Sequence, residues 1–146
     1  MKITMKRFVA VSPAIAAVIG LMTVVALAAN PHFLSGPTFR ITARGALEVT
    51  GTIAGIGNQD VTVVLTATGQ RTCTNRGGNQ PPGQNQTVSG SVSDLEPKNG
   101  RVTFDVTTSP IPNTCPDHMA SFVIFSSATL VITQDGQEVF NQTFTF

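Results

Sequence analysis

The chain has 146 residues, with nine Lys and Arg against eight Asp and Glu, so it lacks the basic excess that displaces counterions from nucleic acid. Its two cysteines are too few for a tetrahedral zinc centre and too far apart for a C-x-x-C redox pair. A length of this order admits one ordinary domain.

The amino end reads as an export signal. Lys2, Lys6 and Arg7 give a positive start, and from Phe8 to Phe39 no residue carries a formal charge when His32 is neutral. The apolar body runs from Phe8 to Leu27, interrupted by Ser12, Pro13, Gly20 and Thr23, and Ala26-Leu27-Ala28 is a small-x-small site. Cleavage is therefore expected between Ala28 and Ala29. A retained anchor is the alternative, since about 20 apolar residues suffice to span a bilayer. Pro13 and Gly20 weaken it as a permanent helix, and no cysteine follows to take a lipid. The expected divisions are a signal peptide over 1–28, an irregular lead-in over 29–37 and a β domain over 38–146. The mature chain is expected to be secreted or extracytoplasmic, touching a membrane only through an uncleaved signal segment.

Losing residues 1–28 leaves 118 residues, six basic against eight acidic, a formal charge of −2. Those 14 charges are well below the usual proportion of about a quarter. Thr, Asn, Gln and Ser carry the polarity instead, and β-branched Thr suits a pleated, half-buried surface. Arg40 with Arg44, and Arg71 with Arg76, are the local basic pairs, read as solvated charges at strand ends.

After the lead-in the dominant period is two. Phe39, Ile41 and Ala43 alternate with polar residues, as do Leu47, Val49 and Ile53, then Val61, Val63, Leu65 and Ala67. The third run is expected to continue past Gly69, a bulge or bend, toward Cys73. Residues 76–86 (RGGNQPPGQNQ) form a loop, since no strand interior accepts two prolines and three glycines. Val88 and Val92 mark a short strand, Pro97-Lys98-Asn99-Gly100 a turn, and Val102, Phe104 and Val106 the next strand. Residues 109–118 (SPIPNTCPDH) are an irregular crossing. Phe122 to Phe125 starts an apolar stretch that Ser126-Ser127 breaks or bulges before Leu130 and Ile132 resume it. Asp135-Gly136 is a strong hairpin signal, and Phe140, Phe144 and Phe146 share one face of the last strand.

In an exported chain Cys73 and Cys115 read first as a disulfide. Closing a loop of 43 residues contributes roughly 4 kcal/mol by chain entropy, with measured values often lower. No helical period longer than two turns follows residue 30. The expected fold is all-β, a two-sheet sandwich of Ig-like or Greek-key type with about eight strands and one disulfide. A small closed barrel is the alternative, and the buried Trp of antibody domains is missing.

The segment Asn30-Pro31-His32-Phe33 and the run from Ile53 to Val63 (IAGIGNQDVTV) resemble a group of small exported microbial proteins of unknown function. That resemblance implies export and a β domain, and no activity.

Candidate chemistry is sparse. Asp117-His118 with Ser109 or Ser121 is the nearest approach to a nucleophile, base and acid, but no G-x-S-x-G turn presents a serine. His32 and His118 with Asp117 lack metal-ligand spacing. Asp94 and Glu96 are paired carboxylates without the aromatic platforms of a sugar cleft, since Trp and Tyr are absent. Asn58, Asp60 and Asp94 do not form a calcium loop. Asn85 and Asn141 head formal glycosylation triplets, and the terminal phenylalanines read as the inner face of a closing strand rather than the end of a membrane barrel. No catalytic, cofactor-binding or metal residue is assigned and no cofactor is expected. The expected function is a non-catalytic binding or structural module outside the cell. Self-assembly into a surface layer or fibre is the alternative, and a small secreted hydrolase the third. Recognition of an unidentified extracellular protein or surface component is expected in two loops on a rigid scaffold. The first carries Asn75, Arg76, Asn79 and Gln80, with Asn85 at its end. The second carries Asn113, Asp117 and His118.

Overall fold

The computed structural model describes residues 30–81 and 83–146. The expected signal segment 1–28 and its cleavage point between Ala28 and Ala29 lie outside the described residues.

Seven strands follow in chain order: β1 His32–Ile41, β2 Leu47–Ala54, β3 Val61–Thr74, β4 Asn85–Leu95, β5 Arg101–Thr107, β6 Ala120–Gln134 and β7 Gln137–Thr145. They form two antiparallel sheets, β1-β2-β5 and β4-β3-β6-β7. The alternation explains why they stack. Val61, Val63, Leu65 and Ala67 of β3 are at most 1 % exposed, while the threonines between them are half-buried on the outer face. Val49, Ile53, Val102, Phe104 and Val106 answer from the other sheet. At about 25 cal/mol per Å² of apolar surface removed from water, this layer is the main source of stability.

The β3–β6 pair is the spine, with fourteen paired positions from Val61↔Gln134 to Thr74↔Ala120. The expected count of about eight strands becomes seven because Ser126-Ser127 bulges β6 without ending it. Thr68 faces Ser127 and Gly69 faces Phe125, so Ser126 is the extra residue, its Oγ donating to the Thr68 carbonyl at 3.2 Å. One inserted residue reverses strand parity. Even-numbered Ala128, Leu130 and Ile132 point inward on one side of the bulge and odd-numbered Phe125 on the other. Gly69 leaves the room this needs, since a Cβ there would lie 2.7 Å from the Phe125 ring and 3.0 Å from Ile111 Cδ1.

The lead-in expected over 29–37 is strand from His32 onward. It pairs with β2 from His32↔Ala54, with register shifts between Phe33 and Ser35 and between Ser35 and Thr38. Phe33 anchors it, 5.2 Å centre to centre and nearly perpendicular to Phe140. Phe39 meets Phe144 and Phe146, each at 5.0 Å. These edge-on and tilted contacts close the seam between β1 and β7.

Both sequence turns form. Asp135 and Gly136, with φ of 48° and 73°, join β6 to β7. Asn99 and Gly100 also have positive φ, and Lys98 and Arg101 exchange backbone hydrogen bonds across them. This second turn ends the crossing from β4 to β5, which lie in different sheets.

Candidate functional site

Three connections gather at one end of the sandwich: the turn before β2, the loop between β3 and β4, and the crossing from β5 to β6. The crossing is fixed first. Thr108 N donates to the Leu47 carbonyl at 2.9 Å, and Leu47 N donates to Thr108 Oγ1 at 3.0 Å. Ile111 is fully buried between Pro110 and Pro112, and its N–H donates to the Gly45 carbonyl at 3.0 Å. Gly45 has a φ of +83°, which glycine adopts without penalty. Four residues beyond Ile111, the Cys73–Cys115 disulfide ties the crossing to β3, with Cα atoms 5.6 Å apart.

Arg71 is the third tie. In the alternation of β3 it occupies the inward phase of Val63, Leu65 and Ala67, at the mouth of the two sheets. Its guanidinium donates from Nη2 to the Ile111 carbonyl at 2.7 Å and to the Arg44 carbonyl at 3.2 Å. Nε reaches the Pro112 carbonyl and Nη1 reaches Ser121 Oγ, both at 3.1 Å. A planar fork with five fixed donors matches several carbonyls at once. Arg71 is therefore a clamp on three segments, where the sequence suggested a solvated charge. The signal was available: an arginine spaced by two from a run of core residues faces the interior.

The loop before β4 organises itself. Asn75 Oδ1 accepts from Gly77 N at 2.9 Å and from Asn79 N at 3.0 Å, and Gly78 N donates to the Asn75 carbonyl. This is the Asx geometry that lets Asn hold a turn. In the other loop Asn113 Oδ1 accepts from Cys115 N at 3.2 Å.

Between the two loops lies a hollow of about 480 Å³ lined by Asn75, Arg76, Pro116, Asp117, His118 and Met119. Four of the eight candidate residues thus meet: Asn75, Arg76, Asp117 and His118. Asn79 and Gln80 are exposed on the loop outside it, Asn113 faces its own loop, and Asn85 opens β4 opposite Gln70. Pro116 and Met119 line the hollow without having been singled out in the sequence. His118 has a φ of 71°, which sets its exposed ring on the rim.

The other candidate groupings do not assemble. Ser121 Oγ accepts from Arg71, and Ser109 N donates to the Ser89 carbonyl on β4. Neither serine is hydrogen-bonded to Asp117 or His118. His32, which pairs with Ala54, lies at the opposite end from His118. Among the described residues no three of His, Cys, Asp and Glu gather around a metal-sized site. Asp94 accepts from Ser93 Oγ, Glu96 lines an open hollow with Lys98 and Arg101, and Asn58 Oδ1 accepts from Gly100 N, all at that opposite end.

An apolar groove of about 290 Å³ lies beside the loops, between β1 and β6, lined in part by Phe39, Ile41, Val123, Ile124 and Phe146. It follows from unequal strand lengths. The pairing of β7 with β6 stops at Ser127↔Thr145, so positions 120–125 of β6 have a strand on the β3 side alone. No family model, curated protein or solved structure matches the chain.

Proposed function

We propose that the chain is an extracytoplasmic, non-catalytic β-sandwich module that recognises a partner through the loops at its disulfide end. One observation carries this reading. A disulfide and an arginine clamp, together with a buried isoleucine, hold two polar loops against each other around an open hollow. Loops so fixed lose little entropy on binding, the advantage of a preorganised surface. The Ig-like, Greek-key reading of the fold is supported by the strand order β1-β2-β5 over β4-β3-β6-β7, with crossings after β2, β4 and β5. The disulfide departs from the antibody pattern, since it joins β3 to a crossing and not one sheet to the other. Export is supported by the disulfide, by the signal-like amino end and by the resemblance of its NPHF and IAGIGNQDVTV segments to small exported proteins.

The test is capture of surface components from the source cells by the exported protein. Arg76→Ala with His118→Asn, the latter chosen because Asn tolerates the positive φ, is expected to lose capture that Asp105→Ala, at an exposed position of β5, retains. Capture by the loop variant equal to that of the unaltered protein would overturn the reading. The second reading, a self-assembling subunit, is favoured by the unequal division of charge between the two ends of the sandwich.

A further inference from the structure

We infer that the surface at the disulfide end takes the opposite end of a second copy of the same chain, so that copies add head to tail. The inference rests on the proposed use of that surface and names its partner.

Arg44 in the turn before β2, Arg71 at the end of β3 and Arg76 in the next loop sit at the disulfide end against one acid, Asp117. At the far end Asp60 precedes β3, Asp94 and Glu96 end β4, and Asp135 and Glu138 form the β6–β7 hairpin. Lys98 and Arg101 are the cations there. The formal charges are +2 and −3, and the ion pair Arg40–Glu48 with Asp105 on the β1-β2-β5 sheet completes the −2 of residues 30–146.

Arg71 spends its donors on the Ile111, Pro112 and Arg44 carbonyls and on Ser121 Oγ, and the other charges at the two ends make no ion pair within 4.0 Å among the described residues. Arg40–Glu48 is the sole ion pair within 4.0 Å among the described residues, so no acid at the far end is in direct contact with Lys98 or Arg101, although Glu96 lines one hollow with both. Arg44 and Arg76 likewise make no ion pair within 4.0 Å, although Asp117 lines the same hollow as Arg76. Nor do the poles satisfy each other: a 14-residue β3 separates them by roughly 45 Å, several times the ~8 Å Debye length at physiological salt. Each pole has its complement on another copy. A basic end meeting an acidic end is a heterologous contact that need not close, and repeated it gives an open filament.

Sedimentation of the exported protein tests this with two charge-reversed variants at exposed positions. One carries Arg44→Glu and Arg76→Glu, the other Glu96→Lys and Glu138→Lys, and unchanged urea midpoints show that both fold. At about 10 mM salt, where the Debye length is ~30 Å, the unaltered protein is expected to form species beyond the dimer as concentration rises. At about 1 M salt it is expected to be monomeric. Each variant alone is expected to stay monomeric, because both of its ends then carry charge of one sign, and an equimolar mixture to associate again, because each end of one variant is opposite in sign to both ends of the other. A monomer at low salt up to about 1 mM would overturn the inference while leaving capture of a foreign partner intact. Association that persists at 1 M salt and is abolished by Phe122→Lys would overturn it too, showing that copies join through the bare edge of β6.

Discussion

Replacing Arg71 isolates the clamp. Of its four hydrogen bonds, those to the Ile111 carbonyl (2.7 Å) and to Ser121 Oγ (3.1 Å) are partly buried, and those to the Pro112 and Arg44 carbonyls are exposed. A bond from a charged donor contributes roughly 1.5–3 kcal/mol when removed. Discounted for partial exposure, the two inner bonds contribute about 1–1.5 kcal/mol each. Water replaces the outer two at little cost. With the packing of the aliphatic stem, Arg71→Ala is expected to cost about 3 kcal/mol, or roughly 9–18 °C in melting temperature for a domain of this size. Arg71→Lys keeps the charge but has no fork, and is expected to cost about half as much. Urea titration read by circular dichroism gives both numbers, with the slope unchanged if the unfolded state is unaffected. A loss below about 1 kcal/mol for Ala would refute the clamp. Equal losses for Ala and Lys would refute the role of the fork, leaving stem packing as the cause.

Gly90 of β4 lies against the end of β5, where an added Cβ would overlap the Thr107 carbonyl and press the Thr108 Cα at 2.9 Å. Gly90→Ala is therefore expected to cost at least about 3 kcal/mol, read from the same urea titration, because backbone and not a side chain would have to move. Buried Gln134 accepts from Gly57 N at 3.0 Å and donates to the Gln59 carbonyl at 2.7 Å, so Gln134→Ala is expected to cost about 2–3 kcal/mol. In Gln134→Glu an ionised carboxylate would face that carbonyl, raising the folded-state pKa above the unfolded value of about 4.3. That variant is expected to be steadier at acid pH and to lose stability as pH rises through the raised value, a trend absent from the parent protein's position 134. Reduction of Cys73–Cys115 is expected to cost about 2–4 kcal/mol in urea midpoints taken with and without reductant.

The sandwich was legible because period-two alternation is a local signal, and β3 carries it with little interruption from Val61 to Ala67. Strand number was less so. A serine pair inside an apolar run looks the same whether it ends a strand or bulges it, and only the partner strand decides. Phe33 lay among prolines and a glycine, so its pairing with Ile53 and its contact with Phe140 rest on residues distant in sequence. Ile111 is the sharper case. Flanked by Pro110 and Pro112, it reads as loop, yet the opening between two sheets is where one irregular residue can plug a core. The two loops around the hollow were legible because a cysteine marks each, and a disulfide turns sequence distance into proximity. Arg71 was missed for want of carrying the alternation two steps further. The division of charge between the ends depends on which way each strand runs, which no local pattern contains.

Fixing the crossing and presenting a surface are coupled tasks here, which separates two classes of change. Arg71, Ile111 and the disulfide hold the segment 108–119 at different atoms, while Arg76 and His118 stand on the hollow's rim and hold nothing. Loss of an anchor is expected to lower stability and partner affinity together, because the loop must then be ordered on binding at about 0.5–1.5 kcal/mol per immobilised side chain. Loss of a rim residue is expected to lower affinity alone. The anchors share one segment, so removing Arg71 and the disulfide together is expected to be non-additive by more than about 0.5 kcal/mol in a double-mutant cycle. Urea titration of Arg71→Ala, of Cys73→Ala with Cys115→Ala, and of the combined variant measures that coupling. Strict additivity would mean that each tie acts on its own stretch of chain, and the loops would then lose their claim to a jointly held surface.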